Sequence, residues 1–135
     1  MDTVRYLEPI ALATHLRDPA ERPKTIVIDV RDDDYEGGHI VGAINVPSDM
    51  FNHETAIDTM IDEKLAGAER AVLHCMFSQQ RGPRCAMKLA QRLKERGKSG
   101  QPFVFVLRGG WMHFMRQYKS DEDLVEEVSE HIWGK

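Results

Sequence analysis

The chain has 135 residues, 30 % of them charged, and a formal net charge of −4 at pH 7. That length suits one domain, residues 1–135, able to bury roughly two thirds of its unfolded surface without disulfide or metal staples. The mild acidity excludes a general affinity for nucleic acid or anionic membrane.

Along the chain, short apolar runs alternate with segments of helical period. This is the pattern of βαβ units and a mostly parallel sheet covered on both faces. "VRYL" at 4–7 reads as a first strand, and "PIALATHLRD", opened by Pro9, as a helix. "TIVIDV" at 25–30 is β-branched and apolar almost throughout, as a strand buried on both faces should be. "EGGHIVGAINVP" is glycine-rich and ends in proline, so it reads as a loop with a short strand near Ala43–Val46. Residues 54–66 put Ile57, Met60, Ile61 and Leu65 on one face of an amphipathic helix. "RAVLHC" is the next strand. After it "GPRCAMKLAQRLKERG" has Pro83 near the first helical turn, an apolar stripe at Ala86, Leu89, Ala90 and Leu93, and Gly97 as a stop. "FVFVL" at 103–107 is a further buried strand, "RGG" a turn, and "DEDLVEEVSEHIW" at 121–133 a terminal helix with acidic residues at its start. No apolar run approaches the ~20 residues of a membrane span. "MDTVRYLEPI" lacks the basic start and apolar core of a signal peptide, so a cytoplasmic or nuclear location is expected.

Both cysteines fall in "LHCMFSQQRGPRC", residues 73–85, which is too few for a disulfide framework and favours reduced thiols. From Cys75 to Lys98 the basic residues Arg81, Arg84, Lys88, Arg92, Lys94, Arg96 and Lys98 face one carboxylate, Glu95. Two readings stand: a solvated helix face, or a local field that draws anions toward Cys75.

Cys-x5-Arg alone is a weak signal, but its setting strengthens it. Cys75 ends an apolar strand, Arg81 precedes Gly-Pro, and an amphipathic helix follows at once. In open parallel sheets this carboxyl end of a strand is where ligands bind. The loop Met76, Phe77, Ser78, Gln79, Gln80 can curl with its N–H groups inward, and the following helix adds its unpaired donors and positive dipole end. Arg81 supplies a planar fork for two oxygens of a tetrahedral oxyanion. A free thiol of pKa ~8.5 is only a few per cent thiolate at pH 7, and the same field favours the thiolate. Cys75 is the candidate nucleophile, and Ser78 is the one hydroxyl between it and Arg81, placed to donate to sulfur or to a leaving oxygen.

With "IVIDVRDDDYEGGHIVGAINVP" and "VFVLRGGW", the loop resembles the rhodanese-fold phosphatases. Within these it is similar above all to the catalytic domain of the M-phase inducer dual-specificity phosphatases and to the small single-domain arsenate reductases and phosphatases of fungi and plants. The resemblance runs from about Val4 to Trp111. It implies a rhodanese-like α/β fold with a five-stranded mostly parallel sheet and helices on both faces. It assigns Cys75 as nucleophile and Arg81 as anion clamp. It also implies that this loop length suits phosphate or arsenate, whereas thiosulfate sulfurtransferases usually have a loop one residue shorter. Asp29 and Arg31 correspond to the family's Asp-x-Arg brace, and His74 and His39 to structural positions.

The departures are informative. M-phase inducers carry a glutamate directly after the nucleophile, where this chain has Met76, and some carry a protecting cysteine where it has Val30. No carboxylate lies between Cys75 and Arg81, and a positioned acid typically contributes ~10²–10⁴ in rate. Asp32, Asp33, Asp34, Glu36 or Asp49 could supply one from another loop. Cys85 is a candidate resolving thiol if its Cα lies within about 7 Å of that of Cys75, the alternative being a small helix residue against the sheet. The chain ends "SEHIWGK" without the cysteine and histidine cluster of the plant reductases, so no metal is expected.

The sequence therefore predicts a cysteine-dependent phosphatase acting on phosphotyrosine or small aryl phosphates through a phosphocysteine. The alternative is an arsenate reductase using the same loop with glutathione as co-substrate and a glutaredoxin partner. A sulfurtransferase is a weaker third reading. The expected ligand is a phosphate- or arsenate-type oxyanion, with a phosphoprotein or glutaredoxin as macromolecular partner and no resident cofactor.

Overall fold

A computed structural model describes residues 4–98 and 101–134. Five parallel strands, β1 (Val4–Leu7), β2 (Thr25–Asp29), β4 (Ile44–Asn45), β5 (Arg70–His74) and β6 (Phe103–Leu107), form one sheet in the order β1-β6-β5-β2-β4. A two-residue strand β3 (His39–Ile40) pairs antiparallel with β7 (Val125–Glu126) to one side. The rhodanese-like α/β architecture expected from the sequence is the one observed.

Strands β2 and β5 read as unbroken apolar runs because both sheet faces are covered, and successive side chains alternate between them. Ile28 and Leu73 face a core built with α2 (Glu54–Lys64) and α3 (Arg81–Glu95), which contribute Ile57, Ile61, Leu89 and Leu93. Val27 and Val72 face the opposite core, built with α1 (Pro9–Arg17) and α4 (Gly110–Tyr118), which contribute Leu12, Leu16, Trp111 and Phe114. The sheet is thus pinned from both sides, and the carboxyl end of its central strand β5 leads into the loop 75–80.

Two sequence expectations need correction. "RGG" does not simply turn: its glycines open α4. Gly109 takes a left-handed conformation at φ 78 as the N-cap, and the buried residues Trp111, Phe114, Met115 and Tyr118 then recur at helical spacing. The terminal segment is not one helix over 121–133. Leu124 and Val125 are drawn into the α1/α4 core, Val125–Glu126 pairs with β3, and Glu127 adopts φ 58. Helix resumes only as α5, Glu130–Trp133, capped by Ser129. Burial of the apolar pair and pairing with β3 override the helical propensity of the surrounding glutamates.

Candidate active site

Strand β5 delivers His74 and Cys75 to the sheet's carboxyl edge, and α3 begins six residues after the cysteine, at Arg81. The intervening loop is shaped from outside by α4. The carbonyls of Cys75 and Met76 accept the N–H groups of Trp111 and Met112, both at 3.0 Å. In a trans peptide the next N–H points opposite to the carbonyl, so the N–H groups of Met76 and Phe77 face away from α4. Among the described residues, none of the N–H groups of 76–80 makes a hydrogen bond within the protein.

A glycine in each flanking helix, Gly110 of α4 and Gly82 of α3, lets that helix approach the loop. A Cβ on Gly110 would stand 2.6 Å from the Cys75 carbonyl oxygen, and φ there is +62. A Cβ on Gly82 would stand 3.3 Å from the Cys75 nitrogen and 3.4 Å from Ser78 Oγ. Ser78 itself sits at φ 55, the left-handed region, with its hydroxyl buried and unpartnered. This is a strained conformation for a non-glycine residue.

Cys75 is 4 % exposed, and its Sγ accepts the Gly82 N–H of the first turn of α3 at 3.2 Å. That contact seats the sulfur at the amino end of α3. The mouth of the loop therefore combines a cysteine sulfur with backbone donors that have no partner among the described residues, an arrangement able to hold a tetrahedral oxyanion over the sulfur.

Arg81 does not stand free. Its Nη1 and Nη2 donate to the two carboxylate oxygens of Asp34 at 3.0 and 2.6 Å, and Nη1 lies 3.4 Å from Asp32. The guanidinium holds the Asp34 carboxyl below its usual range, and Asp34 in turn pushes Arg81 further up. Among the described residues Arg81 Nε has no hydrogen-bond partner, so the Nε–Nη2 edge of the fork stays open for a second bidentate ligand. Sequence reasoning treated the "DDD" run as a set of candidate acids in a turn and missed this pairing. The only available signal was an acidic run beside a predicted strand end. Asp34, held ionised by Arg81, is not a proton donor at neutral pH. Asp32 is engaged by the Ser48 backbone N–H at 3.1 Å and its hydroxyl at 3.2 Å, and Asp49 is exposed.

The loop carrying Asp34 is anchored by Asp29 and Arg31. Both are fully buried, with Arg31 Nη2 donating to Asp29 Oδ2 at 2.7 Å and Nε to Oδ1 at 3.0 Å. Arg31 also donates to the carbonyls of Asp34 at 3.1 Å and Gly38 at 2.8 Å, and its guanidinium lies 4.8 Å from the Trp111 ring centre. One buried ion pair thus ties β2, the acidic loop and α4 together. Removing one partner of such a pair typically costs about 3–5 kcal/mol.

His74 is fully buried, and its Nδ1 lies 3.1 Å from the Cys75 carbonyl. Burial pushes it below the ordinary histidine value, so the ring is neutral and Nδ1–H donates to that carbonyl. His39 lies in β3, stacked on Tyr35 and 2.7 Å from Glu126, away from the loop. Cys85 lies in the α3 face of the core, its Sγ 3.8 Å from the Ser48 carbonyl, and burial pushes its thiol up to about 11. Both cysteines are free. Among the described residues no group of three or more His, Cys, Asp or Glu could hold a metal ion, and no helix is long and apolar enough to cross a membrane.

Residues 12–117 match the family described as the rhodanese-like domain. The chain belongs to that family. As a rhodanese-like domain it is 34 % identical to the dual specificity phosphatase ibp1 of Schizosaccharomyces pombe, over 93 % of this chain and 99 % of the relative. Its fold superimposes on Saccharomyces cerevisiae Ygr203w, a homologue of single-domain rhodanese and the Cdc25 phosphatase catalytic domain. That match has a TM-score of 0.84 and 30 % identity over 98 % of this chain and 97 % of that one. It also superimposes on the As-Sb reductase of Leishmania major, with a TM-score of 0.77 and 36 % identity over 91 % and 85 % of the two chains. The domain is therefore similar along nearly its whole length both to phosphatases and to a reductase of arsenic and antimony.

Proposed function

We propose that this rhodanese-like domain is a cysteine-dependent phosphatase of aryl phosphate monoesters, phosphotyrosine included. The observation that carries the reading is Cys75 Sγ on the first-turn N–H of α3, enclosed by a loop whose own N–H groups have no partner among the described residues.

The phosphoryl oxygens accept from those N–H groups and from the open Nε–Nη2 edge of Arg81, whose other edge Asp34 holds. The Cys75 thiolate attacks phosphorus, the bond from phosphorus to the aryl oxygen breaks, and the phenolate leaves with its electron pair and takes a proton from water. Water then attacks the phosphocysteine, releasing phosphate and returning the thiolate. Neutral His74 and the α4 N–H groups hold the loop carbonyls and stay outside the chemistry. Aryl esters are favoured over alkyl esters because no carboxyl in the loop can protonate the leaving oxygen and Asp34 is held ionised.

That same lack of an acid supports a second reading, arsenate reduction. Here the Cys75 thiolate displaces hydroxide from arsenate to form a sulfur–arsenic bond. A glutathione thiolate then attacks the Cys75 sulfur, and the bonding pair leaves on arsenic as arsenite. A glutaredoxin reduces the mixed disulfide left behind. Cys85, buried and with its thiol near 11, is poorly suited to replace glutathione in that step.

The test is two assays on the wild type and Cys75→Ser: hydrolysis of an aryl phosphate, and arsenate reduction with glutathione and glutaredoxin. The phosphatase reading expects Cys75-dependent hydrolysis. Reduction without hydrolysis would transfer the site to arsenate, and activity that survives Cys75→Ser would reject both.

A further inference from the structure

The loop has two walls of opposite character. On the Asp34 side a depression of about 410 Å³ is lined by Asp32, Asp33, Glu36 and Glu127, with no lysine or arginine in its lining. On the α4 side an open groove of about 580 Å³ begins at the loop itself, at Phe77 and Gln79, and runs along Met112, His113 and Arg116. No carboxylate lines this groove, and Arg116 forms no ion pair among the described residues. Phe77 is 53 % exposed, a large apolar side chain left in solvent between half-buried Met76 and buried Ser78.

We infer that this groove is the leaving-group subsite and that it selects aryl phosphates whose ring bears a carboxylate. The inference rests on the phosphatase reading and names the substrate class of that site. Phe77 and Met112 offer apolar surface to an aromatic ring entering from the loop mouth, and Arg116, further along α4, meets an anion carried beyond the ring. The opposite wall repels the same anion, so selection comes from attraction on one side and like-charge exclusion on the other. An ammonium in place of the carboxylate reverses both contributions.

The experiment compares three esters of similar leaving group, 4-(carboxymethyl)phenyl, 4-ethylphenyl and 4-(2-aminoethyl)phenyl phosphate, on the wild type and Arg116→Gln. Arg116 is exposed on α4, so its replacement leaves the fold intact. An exposed ion pair of ~0.2–1 kcal/mol corresponds to about 1.5- to 5-fold. We expect wild-type kcat/KM to rank carboxylate above ethyl above ammonium, with the first step near the upper end of that range. The preference should fall mainly in KM, because the contact is equal in ground and transition states. Arg116→Gln should bring the carboxylate and ethyl esters level. Equal wild-type rates for the first two esters, or a carboxylate preference that survives Arg116→Gln, would overturn the subsite while leaving the phosphatase reading intact. Absence of ethyl-ester hydrolysis by the wild type would remove the phosphatase reading and the subsite with it.

Discussion

A methyl group at Gly110 tests how the loop is held. The added Cβ would lie 2.6 Å from the Cys75 carbonyl oxygen and 2.7 Å from that of Met76, where ordinary contact begins at 3.4 Å. The loop must then retreat from α4 by about 0.8 Å, and it breaks or bends the two carbonyl hydrogen bonds that orient its N–H groups. Left-handed backbone adds about 1–2 kcal/mol for any non-glycine residue. Gly97 supplies the control, with φ +72 and nothing within 4 Å of its added Cβ. Gly97→Ala should therefore lose only the backbone contribution, a fall in Tm of a few degrees, about 3–6 °C. Its kcat/KM should stay within about twofold of wild type, whereas Gly110→Ala should lose about 10²-fold through a misplacement near 1 Å. Thermal unfolding and aryl phosphate hydrolysis on both variants read this out. Gly110→Ala with activity within about threefold of Gly97→Ala would refute the claim that α4 sets the loop.

Three further outcomes follow from the geometry. Asp34→Asn removes the charge that fixes one edge of Arg81, so kcat should fall by about tenfold, the size of a charge-assisted contact of roughly 1.5 kcal/mol, with little rise in KM for the aryl phosphate. Because the folded Asp34 carboxyl is depressed, its stabilising contribution is complete above the ordinary value of 3.8 and disappears as pH falls through the folded value. Urea unfolding should then show wild type and Asp34→Asn converging only at the acid end. His74 has the same sign for a different reason: burial lowers it below 6.5, so the unfolded chain binds the extra proton first. Stability should decline as pH falls below about 6.5, and His74→Asn should flatten that decline in Tm. Iodoacetamide should label Cys75 alone in the folded protein and reach Cys85 only in denaturant, because a thiol near 11 and fully buried has little thiolate and no access. Labelling of folded Cys85 would contradict its assigned place in the core.

What the sequence disclosed depended on whether the signal was local. Strands β2, β5 and β6 were legible because burial on both faces demands an apolar run, and α3 because its stripe Ala86, Leu89, Ala90 and Leu93 repeats at helical spacing. The loop from Cys75 to Arg81 stood out for the same reason, lying between two strong local patterns. Helix α4 was missed because Gly109 and Gly110 read as a turn, while Gly110 lets α4 approach the Cys75 and Met76 carbonyls. The terminal acidic segment looked helical because the partner that makes Val125–Glu126 a strand is β3, far away in the chain. The pairing of Asp34 with Arg81 spans 47 residues and depends on the buried Asp29–Arg31 pair to aim the loop, which no local pattern encodes.

The most direct measurement of the central claim is acid quenching of the wild type during turnover of an aryl phosphate, followed by mass spectrometry of the peptide that carries Cys75. The account predicts a phosphoryl group on Cys75 and on no other residue, absent in Cys75→Ser, which should also be inactive. Hydrolysis that proceeds in Cys75→Ser, or a phosphoryl group found elsewhere in the chain, would contradict it.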